Sequence, residues 1–180
     1  LTVISMVILG IDPGTATTGY AVISTSKPKN QKQDRNEKPK VIDFGCIITH
    51  PSSLPGKRLQ EIYNQVKALI KKHKPDVVIT VGDRFETLAT TISAVMLNIH
   101  LAHTMGGEVT GTIDESIRHA VTKFSHLHFP ANTDAKDRIV KLGENPDYVF
   151  NTGCPRIDEV KKLIGEQKNG NSYDEKAFFE

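Results

Sequence analysis

The chain has 180 residues, of which 38% are hydrophobic and 24% charged, and its formal net charge is +2. This composition is typical of a globular chain with one well-buried domain. We find neither an apolar run long enough to cross a membrane nor a segment resembling a secretory signal, so we expect a cytoplasmic protein without membrane contact. Cys46 and Cys154 lie far apart without CxxC spacing, so neither a disulfide framework nor a zinc knuckle is expected.

Positive and negative charges are separated along the chain. Up to Lys74 there are 12 Lys and Arg against five Asp and Glu, or +7, and beyond it there are 11 against 16, or −5. A basic half suits a polyanionic partner such as DNA, through neutralisation of phosphates. Five of its basic residues lie in the polar segment 26–38, however, and a solvated loop explains those equally well.

The first half of the chain predicts three strands and one helix. Apolar runs at 6–12, 20–25 and 41–49 are separated by a turn beginning at 13–15 and by a long polar loop at 25–40. Apolar residues then recur at helical spacing over 56–72, behind Pro55. These signals predict two hairpins followed by an amphipathic helix.

The second half alternates short apolar runs with amphipathic segments. Strands are predicted at 77–81, 99–103, 127–130 and 148–151, and helices at 87–97, 114–126, 134–142 and 156–164, with a glycine turn at 106–107. This alternation predicts a three-layer α/β fold with βαβ crossovers. Its mixed sheet is expected to be antiparallel in the N-terminal hairpins and parallel beyond Val77.

The first chemical signal is the run ILGIDPG at 8–14. Asp12 ends a predicted buried strand and a glycine turn follows it, an arrangement that can hold a divalent ion and let a phosphate backbone approach. Together with TGY at 18–20, Gly45, LQEI at 59–62 and KPD at 74–76, this run resembles the opening of RuvC-type Holliday junction resolvases. The resemblance implies that Asp12 is a catalytic Mg²⁺ ligand and that the partner is a DNA four-way junction.

The chain departs from this family after the predicted strand 77–81. Val81 stands where the second carboxylate of the family is expected, and we find no C-terminal helix carrying the remaining acids. Cleavage assisted by two metal ions needs several carboxylates around ions about 4 Å apart. Resolvase activity is therefore not expected.

The second signal is longer. The runs VGDRFETLA at 81–89, LAHTMGGEVTGTIDESIRHA at 101–120 and GCPRID at 153–158 resemble the hydrolysing UDP-N-acetylglucosamine 2-epimerases. The resemblance spans 75–163 and implies a UDP-sugar substrate and no cofactor. It implies acid/base roles for Asp83, Asp114 and Glu115. It implies substrate contacts for a second group of residues, namely Arg84, His103, Glu108, Arg118 and His119.

Two departures weaken this second interpretation. Met105 stands where many members carry a glutamate, and a thioether cannot transfer a proton, so Glu108 would have to replace it. The phosphate-binding start of the family is replaced by the resolvase-like segment, and its C-terminal domain is not found before Glu180. We therefore expect an epimerase-like fragment or fusion that is inactive alone. A junction endonuclease and a non-catalytic fusion or misassembled product are the alternatives.

The predicted organisation is a RuvC-like or RNase H-like segment at 1–74, an epimerase-like Rossmann-type segment at 75–165, and a polar tail at 166–180 that is expected to be disordered. An oligomer is compatible with the sequence. Two placements of Asp83 remain open. Alternation along a continuing strand would bring it to the same side as Asp12, whereas a turn at Gly82 would send it elsewhere.

Overall fold

The computed structural model describes residues 6–14, 16–25 and 39–168. Residues 1–5, most of the predicted loop 25–40 and the last 12 residues of the predicted tail lie outside this part. The strands are β1 (Met6–Asp12), β2 (Thr17–Thr25), β3 (Lys40–Ile48), β4 (Val77–Val81), β5 (His100–Thr104) and β6 (Leu127–Phe129). The helices are α1 (Pro55–His73), α2 (Phe85–Val95), α3 (Ile113–Phe124), α4 (Thr133–Lys141) and α5 (Pro155–Lys168).

All six strands form one sheet in the order β3-β2-β1-β4-β5-β6. The first three strands pair antiparallel, and β1, β4, β5 and β6 pair parallel. The predicted α/β class with a mixed sheet is confirmed, including the change to parallel pairing at Val77. None of the described helices is long and apolar enough to cross a lipid bilayer.

The connection from α1 to β4 is tightly specified. Lys74 adopts a left-handed conformation and its amide donates to the carbonyl of Ile70, which ends the helix directly before Pro75. Asp76 then holds Val7 from both sides: its amide donates to the Val7 carbonyl at 2.8 Å, and its carboxylate accepts from the Val7 amide at 2.7 Å. This clamp sets the register of β4 against β1 where the two sequence resemblances meet.

One face of the sheet is covered by helices. Leu9 of β1, Val78 of β4 and Leu101 of β5 are fully buried in a core that also holds the apolar stripe of α1 and part of α2. Helix α3 lies on the same side, since Thr122 and His103 both border Gly106. Alternation therefore assigns the odd-numbered residues of β1 to the covered face.

The opposite face of the N-terminal half of the sheet is exposed. Phe44 and Ile48 of β3 keep 74% and 70% of their surface, and Val81 of β4 keeps 41%.

The strand predicted at 148–151 is wrong in extent. Pro146 opens a 3₁₀ turn that Asn145 caps by accepting a hydrogen bond from the Asp147 amide at 3.0 Å. Only Val149 then pairs with the sheet, in a single parallel bridge to His128. Strand β6 is likewise short, because Pro130 lacks the amide that would continue the pairing.

Candidate functional site

Strands β4 and β5 end side by side, and the loops that follow them carry most of the predicted site residues. Gly82 has φ of +78° and turns the chain immediately after β4. Two hydrogen bonds hold this turn: His103 Nε2 donates to the Gly82 carbonyl at 2.7 Å, and Thr87 Oγ1 donates to the Val81 carbonyl at 3.0 Å. Of the two placements left open by the sequence, the structure shows the turn.

The turn directs Asp83 towards α3, where its carboxylate accepts a hydrogen bond from the guanidinium of Arg118. The Arg118 side chain is 1% exposed, whereas that of Asp83 is 26% exposed. Arg118 also donates to the backbone carbonyl of Glu108 at 2.6 Å. One buried cation therefore ties the loop after β4 to the loop after β5 and leaves part of the Asp83 carboxylate accessible.

The two adjacent acids at the start of α3 have different surroundings. Glu115 accepts hydrogen bonds from the amides of Thr110 and Gly111 at 2.8 and 2.7 Å, and these bonds lower the pKa of its carboxyl group. His119 lies 3.6 Å from the same carboxylate. Asp114 is half-buried and has no hydrogen bond or ion pair within the described part of the chain. Glu115 thus shapes the loop, and Asp114 is the carboxylate left available.

The loop after β5 is held by a second arginine that sequence reasoning missed. Arg138 of α4 donates to the Gly107 carbonyl at 2.9 Å, next to the Glu108 carbonyl that Arg118 holds. Met105, which replaces the expected acid, has φ of +62°. Because Arg138 lies in no motif, only the tertiary structure reveals its role.

Glu86 was also missed, although it lies within the motif at 81–89. Its side chain is fully buried and neither carboxylate oxygen has a hydrogen bond. Its closest cation is Arg84, whose Nε lies 3.5 Å from the carboxylate and whose side chain is half exposed. Arg84 is thus a cationic side chain at this edge that solvent reaches.

His103 is buried, with 1% of its surface exposed. Burial is the main cause that lowers its pKa to about 4; the Gly82 carbonyl and Asp83 oppose the shift, and His128 and Arg118 add to it. The ring is therefore neutral near pH 7, with its proton on Nε2. It supports the turn that carries Asp83.

The burial of neutral His103 predicts acid sensitivity. Between pH 6.5 and about 4 the unfolded chain protonates this ring and the folded chain does not, so stability present above pH 6.5 is lost as the pH falls. A shift of this size corresponds to a loss of about 3 kcal/mol. Urea unfolding at pH 7 and 4.5 should show a smaller pH dependence in His103→Asn than in the parent chain.

His100→Asn is the matched control, because it replaces an exposed histidine and leaves His103 in place. Burial also lowers the pKa of His128, so part of the dependence should remain in His103→Asn. Equal pH dependence in both variants would contradict the assignment.

Asp12 lies apart from this cluster, on the open face. It lines a shallow pocket of about 380 Å³ and is the one charged side chain among the described residues that line it; the others are Gly10, Ile11, Gly19, Tyr20, Ala21, Gly45, Ile79 and Val81. The described residues contain no group of three or more His, Cys, Asp or Glu that could hold a metal ion. With Val81 beside it in place of a carboxylate, Asp12 does not form the donor set that a two-metal centre needs.

Comparison with known proteins finds relatives for both the epimerase-like and the resolvase-like parts of the chain. Residues 37–178 match the family model described as UDP-N-acetylglucosamine 2-epimerase. The chain belongs to the UDP-N-acetylglucosamine 2-epimerase family. The UDP-N,N'-diacetylbacillosamine 2-epimerase (hydrolyzing) of Legionella pneumophila is 45% identical over 92 residues, which are 51% of this chain and 24% of that protein. This family member thus spans about a quarter of the length of such relatives.

Solved structures of the epimerase family share its fold. The UDP-GlcNAc 2-epimerase from Neisseria meningitidis, solved bound to UDP-GlcNAc, superposes with a TM-score of 0.61 at 24% identity, covering 67% of this chain and 34% of that one. A putative UDP-N-acetylglucosamine 2-epimerase from Listeria monocytogenes gives 0.59 at 22% identity, covering 62% and 32%.

The same chain also belongs to the RuvC family. The crossover junction endodeoxyribonuclease RuvC of Treponema denticola is 32% identical over 159 residues, covering 85% of this chain and 84% of that protein. The composite character expected from the sequence is confirmed. The epimerase match begins at residue 37, ahead of the predicted junction at 75–82, so the two matches overlap.

Proposed function

We propose that this chain forms one wall of a UDP-sugar site of the hydrolysing 2-epimerase type and has no turnover by itself. The observation that carries the proposal is the Asp83–Arg118 pair at the carboxyl edge of β4 and β5. Open α/β sheets bind ligands at this edge. The pair keeps an acid partly accessible at the end of a rigid strand.

The other residues of the edge fit the same chemistry. Removing the C2 proton of a sugar requires a positioned base, and expelling UDP requires cationic or hydrogen-bonding support for the diphosphate. Asp83 and Asp114 are the carboxylates available for proton transfer, because Glu115 is engaged with loop amides. Arg84 is the accessible cation. His103, in this proposal, positions the Gly82 turn instead of touching the sugar.

A single wall does not make a complete site. Ligand sites of this kind bury most of the ligand surface and are commonly built between two domains. Met105, which stands where many members of the family carry a glutamate, supplies no proton at its position. These features support binding without turnover.

The test is an assay of UDP release from UDP-N-acetylglucosamine with the 180-residue chain and the Asp83→Asn variant. We expect release at the background rate for both proteins. Release above background that Asp83→Asn abolishes would overturn the proposed lack of turnover. Ligand-induced amide shifts in the NMR spectrum, confined to residues after β4 and β5, would support the proposed wall. Their absence at millimolar UDP-sugar would count against it.

A junction endonuclease is the second candidate, supported by Asp12 at the mouth of the 380 Å³ pocket and by the RuvC relatives. Mg²⁺-dependent cleavage of a four-way DNA junction that is lost in Asp12→Asn would favour it. Lys72, one of the cations in the basic half of the chain, forms an ion pair with Asp43 at 2.8 Å and is therefore less available to neutralise a DNA phosphate. A non-catalytic fusion or misassembled gene is the third candidate, and sequencing the codons for residues 74–82 from an independent clone would decide it.

A further inference from the structure

The open face of the sheet contains a groove with a floor of very small residues. Ala21 of β2 lies opposite Gly10 of β1, and Gly19 lies opposite Asp12, all on the face away from the helices. Phe44 of β3 pairs with Ala21 on one side of this floor, and Ile79 of β4 pairs with Gly10 on the other side. The result is the 380 Å³ depression, with apolar walls and one carboxylate.

Helix α5 carries a matching apolar stripe. Ile157, Val160 and Ile164 recur at i, i+3 and i+7 and therefore share one side of the helix. They are 55%, 52% and 50% exposed, so the stripe is not covered by any of the residues that the structure describes. Lys161 lies four residues after Ile157, on the border of the stripe.

We propose that the groove of one copy receives the α5 helix of a second copy, with reciprocal exchange about a twofold axis. The β1–β4 pair at one side of the groove is parallel, and parallel strands are usually covered on both faces, whereas the described residues leave Val81 of β4 41% exposed on this face. The helix offers the apolar ridge that a depression with a small-residue floor accepts. The proposal is independent of the proposed function.

Dimensions and charge both agree with this occupant. A helix of 14 residues is about 21 Å long, and four strands side by side span about 15 to 20 Å, so α5 can cross β3, β2, β1 and β4. Lys161 supplies a cation for Asp12, the one charged side chain that lines the groove. One helix in one groove is a small contact, and reciprocal exchange doubles it towards the roughly 1,600 Å² of a stable interface.

The first experiment measures the mass of the full chain by sedimentation over a range of concentrations. We expect a dimer that Val160→Lys and Ala21→Arg each weaken by about tenfold or more, since each change places a charge in the apolar contact. Met96→Lys is the matched control, because Met96 is 71% exposed directly after α2, on the covered side of the sheet. A monomer at every concentration, or weakening by the control alone, would overturn the proposal.

Mixing the two defective variants separates helix exchange from other dimers. Val160→Lys retains an intact groove and Ala21→Arg retains an intact helix, so the mixture should form a heterodimer through one remaining contact. Stacking of two open faces predicts instead that Val160→Lys dimerises normally, and that result would overturn the proposal.

Charge reversal tests the register. Asp12→Lys should weaken the dimer, and adding Lys161→Asp in the same chain should restore much of the loss. Failure of the second change to restore any affinity would remove the Asp12–Lys161 contact from the proposed interface.

Discussion

Replacing Arg118 by methionine is expected to lower the free energy of unfolding by about 3 kcal/mol. The change keeps much of the buried volume but leaves the Asp83 carboxylate without its cation and the Glu108 carbonyl without its donor. Breaking a buried ion pair from one side is costly because the remaining charge stays partly desolvated. Urea unfolding followed by circular dichroism at pH 7 measures the loss.

Arg138→Met is the matched control for this experiment. Arg138 is half-buried, and among the described residues its side chain makes a single hydrogen bond, to the Gly107 carbonyl, so we expect a loss of about 1 kcal/mol. Combining Arg118→Met with Asp83→Asn should cost less than the sum of the two single changes, because the second change removes the unpaired charge. Equal costs for Arg118→Met and Arg138→Met would contradict a special role for the buried cation.

Gly107→Ala is expected to destabilise the fold by about 3 kcal/mol or more, or to displace α4. A Cβ at this position would lie 2.2 Å from the Ala135 carbonyl oxygen, and φ is +79°. Because the Cβ would meet a backbone carbonyl, no flexible side chain can move away to relieve the contact. Thermal and urea unfolding of the variant measure the effect.

Gly111→Ala separates the two causes of that cost. Gly111 also has a positive φ, of +69°, but a Cβ there would meet nothing within 4 Å. Its substitution should therefore show only the backbone strain, about 1 kcal/mol. A Gly107→Ala variant as stable as Gly111→Ala would show that α4 does not press against the loop.

The sequence predicts the helices and strands of this fold better than it predicts the contacts around them. Helix α1 and strands β1 and β4 were predicted within a residue or two, because their apolar periodicity and the Pro75 break are local signals. The strand predicted at 148–151 is a single bridge at Val149, since the 3₁₀ turn that Asn145 caps includes Tyr148, the first residue of the predicted strand.

The candidate site shows the same division. The resemblance supplied Asp83, Arg118 and Glu115 as site residues but not that Arg118 pairs with Asp83 or that Glu115 caps a loop. These contacts depend on a turn at Gly82 and on helix packing between segments 35 residues apart. The exposure of Phe44 was equally hidden, because an apolar strand looks the same whether one or both faces are covered.

The clamp between Asp76 and Val7 has a consequence for how the chain folds. It joins residues 69 positions apart, one in β1 and the other directly before β4. Strand β1 finds one neighbour in its own segment and the other only after a long loop closes, a slow, entropically costly step. We therefore expect that the two segments are not autonomous folding units. Cleavage between them should leave β1 with an unpaired edge and unravel both parts together.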